Sequence, residues 1–317
     1  MPALLTENVI TLAKVEATYG VDPTPTGAAD AMVTSEVKFM PLEMKTVSRK
    51  LDKPNSGSDQ ELVVDHWAMI EFSIELAGSG TLGTAPKFGH LLRACRCQEV
   101  IVATTSVTYS PLRSSTASLT VYFYMDGNLH KLQGARGTFT IEVSSQNIPY
   151  IKFKFTGIWT TPIASANPTV LTNWAGFQIP DPVTFDNTPT PTLHGYTGVY
   201  KAFSFDAGNN VQVFNNPGER EIRITSHAAK GSISMLAPPL GTKDFFTIAR
   251  NATLGTMKIQ HGPTTTTRWF LECAANTCQI LNPKYGDDQG RAMIEANLGF
   301  VPTVAGNDEW QLRFAAA

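Results

Sequence analysis

The sequence has little charge, few cysteines, no long apolar run and no excess of basic residues. Charged residues make up 16% of the chain, against about 25% in typical soluble proteins. The 25 Lys+Arg and 27 Asp+Glu give a net charge of −2, which argues against a surface that reads nucleic-acid sequence. No apolar run reaches about 20 residues, so we expect no membrane insertion by this chain.

The first residues and the cysteines exclude two further classes. The N-terminus shows no basic start followed by an apolar stretch, so we expect no secretory signal and synthesis in the cytoplasm. Cys95 and Cys97 lie too close for a good mutual disulfide, and neither this pair nor Cys273 and Cys278 has the usual zinc spacing. We expect four small buried apolar residues, and neither a metal nor a cofactor.

Period-two alternation of apolar and polar residues dominates from Ser35 onward and predicts a mainly β protein with antiparallel strands. The predicted strands are 68–76, 119–123, 138–143, 151–156, 221–225, 231–235 and 310–314. One segment instead predicts a helix, with Thr84 as its cap and Pro86 in its first turn. The residues that would share the apolar face of this helix are Phe88, Leu91, Leu92 and Cys95.

The two halves of the chain resemble each other. Ser73-Ile74 is followed by Leu82-Gly83-Thr84 and a helical segment, as Ser232-Ile233 is followed by Leu240-Gly241-Thr242 and a helical segment. This order predicts two tandem β-sandwich or barrel domains, each with one short flanking helix. We expect domains at 1–160 and 199–317, joined by a Pro-rich linker at 161–198; the first would carry an arm at 1–30 and a long loop at 42–64.

No pattern in the sequence indicates catalysis. The six histidines are scattered, and no Gly-x-Ser-x-Gly turn is present. The glycines at 78–83 lack the Lys-Ser/Thr of a phosphate-binding loop, and Asp287-Asp288 lacks the closing Glu of a calcium loop. We therefore expect a protein that is not an enzyme.

Several longer strings resemble the tail tube (major tail) proteins of long-tailed, non-contractile, siphovirus-like bacteriophages. The resemblance is strong over roughly residues 5–205 and looser beyond. The strings that carry it are Thr18–Met32, Ala77–Pro86 with Leu91–Cys95, Tyr122–Leu132, Gly134–Gly137 and Pro149–Gly157.

This resemblance implies a structural virion protein of the tail. Such proteins stack as rings into a hollow tube, and their inner strands form a barrel through which DNA passes into the host. With two domains in one chain, we expect homotrimeric rings of pseudo-sixfold symmetry, assembled in the bacterial cytoplasm with a tape-measure protein and tail-tip or terminator proteins.

The wet strand faces would line the lumen, and a polar, mildly acidic lining would let DNA slide. The lumen candidates are Glu71, Ser73, Glu75, Thr140, Glu142, Arg223, Ser234 and Glu295. The arm and the long loop would contact the next ring. The candidates for that contact are Tyr19, Asp22, Pro23, Pro25, Arg49, Lys50, Asp52 and Lys53.

Two alternatives stay open. One is another virion protein, such as a capsid decoration or tail-terminator subunit, whose assemblies stop growing. The other is a carbohydrate-binding β-sandwich or hydrolase, in which exposed Trp159, Trp174 and Trp269 would stack on sugars. The tube interpretation instead places these tryptophans in core, linker or subunit contacts.

Overall fold

A computed structural model of the chain describes residues 4–54, 56–113, 117–262, 267–273 and 275–316, with the backbone alone at 171 and 172. The protein is mainly β, as the alternation predicts. Its helices are α1 (Gly27–Asp30), α2 (Gly89–Ala94), α3 (Leu171–Trp174) and α4 (Phe245–Arg250). No helix among these residues is long and apolar enough to cross a membrane.

The strands of the first half include the long ones, β3, β4 and β8. They are β1 (Val9–Val15), β2 (Ala31–Met32), β3 (Ser35–Ser48), β4 (Glu61–Glu75), β5 (Cys97–Val102), β6 (Ser106–Pro111), β7 (Leu119–Met125), β8 (Asn128–Ser144), β9 (Tyr150–Trp159) and β10 (Ile163–Ala164).

The strands of the second half are shorter on average. They are β11 (Thr192–Leu193), β12 (Tyr196–Thr197), β13 (Tyr200–Asp206), β14 (Asn209–Asn216), β15 (Glu219–His227), β16 (Lys230–Leu236), β17 (Leu254–Gly255), β18 (Met257–His261), β19 (Arg268–Glu272), β20 (Cys278–Asp288), β21 (Arg291–Phe300) and β22 (Gln311–Ala315).

Both large sheets contain strands from both halves of the chain. In the larger sheet, eight strands follow one another in the order β3-β4-β9-β8-β13-β16-β21-β20, and β7, β1 and β2 continue from β8. In the smaller sheet the order is β12-β11-β18-β19-β22-β6-β5. The C-terminal strand β22 thus pairs with β19 of its own half and with β6 of the other.

The eight-strand segment of the larger sheet repeats one four-strand order. In the first half, the chain order of the strands is β3, β4, β8, β9 and their spatial order is β3-β4-β9-β8; in the second half β13, β16, β20, β21 are arranged in the same way. A short helix follows the second strand in both cases, α2 after β4 and α4 after β16. The smaller sheet shows no such repeat in its described strands. Five of them come from the second half of the chain and two, β5 and β6, from the first.

One core lies between the sheets. Phe139 of β8 contacts Phe153 from the same half, and Phe205 and Trp310 from the other, with ring centroids 5.8–6.1 Å apart. Val107 on β6 and Phe314 on β22 close this core from the smaller sheet. The two halves therefore bury their apolar residues against each other.

The first 30 residues differ from the expected arm. Strand β1 lies between β7 and β2, and Thr11, Leu12 and Ala13 are all buried. A strand covered on both faces shows no period-two alternation, so the sequence pattern could not reveal it.

The predicted helix begins later than expected. Thr84 belongs to the preceding turn, where its carbonyl accepts from Ser79, and α2 begins at Gly89 with Phe88 as its N-cap. The expected apolar face is confirmed, because Phe88, Leu91, Leu92 and Cys95 are buried. The second helix, α4, is capped by Asp244, whose carboxylate accepts from the Thr247 N–H at 2.9 Å.

Residues 42–64, expected to be a long loop, form the end of a hairpin in which only 49–60 is loop. Strand β3 ends at Ser48 and strand β4 begins at Glu61. Residues 49–60 join them, and apart from residue 55, which lies outside the described residues, almost all of this loop is exposed. The expected linker, residues 161–198, holds β10, α3, β11 and β12. Its Trp174 donates from Nε1 to the Met32 carbonyl at 3.2 Å, so this segment packs on the fold as its aromatics suggested.

His90 on α2 makes stability dependent on pH. Burial lowers the pKa of His90 to about 4, although Asp30 opposes this and Arg93 adds to it. The folded protein excludes a proton that the unfolded chain binds near pH 6.5, so this stability is complete above that pH and is lost as the pH falls towards 4.

We expect the free energy of unfolding to fall by up to about 3 kcal/mol across that window. His90→Gln should flatten this part of the profile, measured by urea denaturation at fixed pH steps. An unchanged slope in the variant would assign the loss to other groups.

Candidate functional site: the polar face of the large sheet

The eight-strand segment has one apolar and one polar face. On β4, Ile70, Phe72 and Ile74 point into the core, so Glu71 and Ser73 point away from it. Five carboxylates and four lysines line two shallow depressions on this polar face, one over each half. They are Glu36, Glu71, Glu142, Asp206 and Glu295 with Lys38, Lys152, Lys154 and Lys284.

Neighbouring strands hold these charges in opposite pairs. Lys154 on β9 contacts Glu71 on β4 at 2.7 Å, and Lys152 contacts Glu142 on β8 at 2.9 Å. Lys284 on β20 contacts Glu295 on β21 at 3.0 Å. The hydrogen bond to Glu142 raises the pKa of Lys152. Three of the four lysines on this face thus have a carboxylate partner, and the face is polar with charges of both signs rather than uniformly acidic.

Uncharged polar side chains lie beside Glu142 and Asp206 at the centre of the face, where the halves meet. The Ser204 hydroxyl on β13 and the Ser232 hydroxyl on β16 are 2.8 Å apart. Ser144 and Ser234 lie on the same depression. These small hydroxyls add no net charge to the face.

Seven of the eight lumen candidates lie on this face. They are Glu71, Ser73 and Glu75 on β4, Thr140 and Glu142 on β8, Ser234 on β16 and Glu295 on β21. Ser73 is only 3% exposed, with Glu36 within 3.4 Å of its hydroxyl.

The eighth candidate, Arg223, lies elsewhere. It is on β15 of the separate β14–β15 hairpin, where it pairs with Glu219 and Glu221. The alternation at 221–225 correctly indicated a strand, but period two cannot tell a hairpin from a strand of the main sheet.

Sequence reasoning missed half of the polar face. Lys152 and Lys154 alternate with the apolar residues of β9 and could have been found by the same rule as Glu71. Strand β13 was not predicted, and its Ser204 and Asp206 alternate with buried Phe203 and Phe205. That alternation was the available signal.

The candidates for ring-to-ring contacts fall into two groups. Tyr19 accepts from the Ile222 N–H at 2.6 Å, Asp22 accepts from Tyr122 and Lys131, and Pro23 and Pro25 are half-buried and buried. This first group packs on its own chain. The second group lies at the exposed end of the β3–β4 hairpin and consists of Arg49, Lys50, Asp52 and Lys53, the last paired with Asp59.

The side chains that would serve other chemistry are placed in the core or against it. Trp269 is buried, and Trp159 and Trp174 are half-buried, so none of the three offers the exposed stacking platform of a sugar site. The four cysteines are free and buried, as expected. Among the described residues, no group of three or more His, Cys, Asp or Glu is placed to hold a metal ion.

Comparison with known proteins agrees with a structural role. The model of the family described as phage tail tube protein matches residues 6–302, nearly the whole chain. A search of curated proteins finds no match. Family membership points to a structural component of the virion tail that assembles with itself, and away from an enzyme. A mainly β sandwich with a broad polar sheet face and a family match across both halves lead to one conclusion: the chain belongs to the phage tail tube protein family.

Proposed function

We propose that this protein forms rings of three chains with pseudo-sixfold symmetry, which stack into the hollow tube that conducts DNA into the host. The observation that carries the proposal is the repeated four-strand order in the eight-strand segment. Two equivalent units in one chain supply six units to a ring of three chains. The domain division, with units in 1–160 and 199–317, is part of this proposal.

The polar face is proposed to line the lumen. A channel for DNA needs a wetted wall that neither binds phosphates tightly nor exposes apolar surface. Here Lys152, Lys154 and Lys284 each have a carboxylate partner within hydrogen-bonding distance. Such pairing lowers the number of phosphate contacts that the wall can make, and non-specific affinity follows that number.

Removing the carboxylates should therefore make the face bind DNA. In Glu71→Gln/Glu142→Gln, Lys154 and Lys152 lose their partners. We expect dissociated subunits to bind double-stranded DNA roughly tenfold more tightly at low salt, with a salt slope steeper by up to about 2. Fluorescence anisotropy across a salt series measures both.

The control is Glu7→Gln/Asp186→Asn, which makes the same change in net charge at exposed positions outside the eight-strand segment. Equal gains in the two double variants would mean that net charge, rather than unmasked lysines, sets the affinity.

The stacking of rings is assigned to the β3–β4 hairpin. Head-to-tail stacking is a contact that does not close, which is how a filament grows. The hairpin exposes Met44, Val47, Leu62 and Val63, each at least half exposed. We propose that this apolar end, with the charged loop 49–60, reaches the next ring. Assembly would take place in the host cytoplasm, with a tape-measure protein and tip or terminator proteins as partners.

Negative-stain electron microscopy of the protein at low and high concentration, and of tails from virions, tests this function. The proposal expects hollow tubes or stacked rings. Single closed rings that never stack would favour a terminator or decoration protein. Tubes whose rings hold six chains would keep the tube function and reject the pairing of two units per chain.

A further inference from the structure

The larger sheet has two long edges with little pairing. Within the described residues, β3 pairs only with β4, and the outer side of β20 pairs only with β17, at Cys278 and Gln279. Open strand edges of this length are templates for another strand, and native proteins usually cover or shorten them. Both edges belong to the segment that carries the polar face.

The chain already contains one junction between its two units. Strand β8, the third strand of the first unit, pairs antiparallel with β13, the first strand of the second unit. In this junction Thr140 lies opposite Asp206, and Glu142 lies opposite Ser204. The two open edges are β20, the third strand of the second unit, and β3, the first strand of the first unit.

We propose that β20 pairs antiparallel with β3 of a second copy of this chain, in the register of the internal β8–β13 junction. The inference rests on the proposed ring function and names the contact that closes the ring. The partner is a second copy because the two edges are the free counterparts of strands that already pair.

The register follows from equivalent positions. Ser73 corresponds to Ser232 in the repeat. Two strands further across the sheet, Ser73 is in line with Thr140 and Ser232 is in line with Leu281, so Thr140 and Leu281 are equivalent. On the other side, Glu71 pairs with Lys38 and its equivalent Lys230 pairs with Asp206, so Lys38 and Asp206 are equivalent. The internal pair of Thr140 and Asp206 therefore becomes Leu281 opposite Lys38 of the second copy. By the same steps, Lys284 lies opposite Ser35.

Two irregularities agree with this register. The pairing of β20 with β21 shifts between Leu281 and Lys284, and that of β3 with β4 shifts between Ser35 and Lys38. Each edge strand thus advances by three residues where its inner neighbour advances by two. Set against each other, the edges advance by equal steps and keep in phase.

The side chains at this junction are also compatible. Pro283 has no N–H to donate, so it must occupy a non-hydrogen-bonded position of the β20–β3 pairing. These positions recur at every second residue, so Leu281 and Lys38 form a non-hydrogen-bonded pair as well. In this register Glu36 lies opposite Pro283 and diagonal to Lys284, whose side chain is 72% exposed. Opposite charges across strands favour pairing.

Engineered cysteines test the contact in assembled protein. Leu281→Cys/Lys38→Cys places thiols at facing positions with close Cα atoms, and the four native cysteines are buried. Mild oxidation of tubes, purified or taken from virions, should give a ladder of cross-linked chains on a denaturing gel. In the proposed ring the ladder ends at three chains.

The matched control is Asp287→Cys/Lys38→Cys, whose thiols would lie about 20 Å apart in this register. We expect at least about tenfold more cross-linked product from the first pair than from the control. Tubes that form under reducing conditions but do not cross-link through 281 and 38 would overturn the junction and leave the tube function standing. Absence of rings and tubes from both sources would reject the function, and the junction with it.

Discussion

Glu16→Ala should lower the free energy of unfolding by about 3 kcal/mol or more. Glu16 is 7% exposed. Its carboxylate accepts from the hydroxyls of Ser118 and Thr120 at 2.6 and 2.7 Å and from the N–H groups of Gly134 and Gly20 at 2.7 and 2.8 Å. Truncation leaves these donors facing a cavity without an acceptor.

The same carboxylate fixes the N-terminal segment on the sheet. Gly134 has a φ of +58°, and a Cβ at this position would come within 2.7 Å of the Tyr19 ring. Glu16 therefore holds a backbone conformation in which Tyr19 can lie against β8. We expect Glu16→Ala to make the Tyr19 ring accessible to iodination. The backbone around Tyr19 should also become more susceptible to protease cleavage.

Chemical denaturation of the subunit measures the effect, with two comparisons. Glu7→Ala, at an exposed position, should change stability by less than about 0.5 kcal/mol. Glu16→Gln keeps the shape and one acceptor oxygen, so its loss should be smaller than that of Glu16→Ala. A neutral Glu16→Ala would show that water replaces the carboxylate.

Phe139→Ala should cost about 3–5 kcal/mol, and it should destabilise both halves of the chain together. Phe139 is 1% exposed and belongs to the first half. Its ring meets Phe205 at 6.0 Å and Trp310 at 5.8 Å, both from the second half. A cavity here removes contacts that join the two units.

Two probes distinguish joint from separate unfolding. Amide exchange of β21 follows the second half, and amide exchange of β9 follows the first. We expect both to shift equally in Phe139→Ala, while Phe185→Ala, at a side chain that is 97% exposed, shifts neither. A variant in which only the first half melts early would mean that the units fold independently.

The fold was predictable for strands that have one buried face and one solvent-exposed face. The alternation on β4, β8 and β9 placed their core residues and their polar residues correctly, because a half-buried antiparallel strand displays its two environments in its sequence. Strand β1 gave no such signal, since both its faces are covered. Helix α2 begins at Gly89, later than expected, because Thr84-Ala-Pro86 has the local sequence of a helix start but belongs to the preceding turn.

The polar face was predictable in part for the same reason. The residues of β4 and β8 follow from local alternation, whereas the pairing of Lys154 with Glu71 depends on which strands are neighbours. Strand order is set by long-range packing. The position of the last strand, β22, between β19 and β6 shows how far the spatial order departs from the chain order. Arg223 illustrates the limit, because its strand lies outside the main sheet.

The most direct test of the central claim is a helical reconstruction of the tube by electron cryomicroscopy, at a resolution that separates strands. We predict three chains in each ring, six units around the axis, and Thr140, Glu142 and Ser234 facing the lumen. A reconstruction in which the polar face points outward, or in which β3 and β20 lie away from any neighbouring chain, would contradict this account.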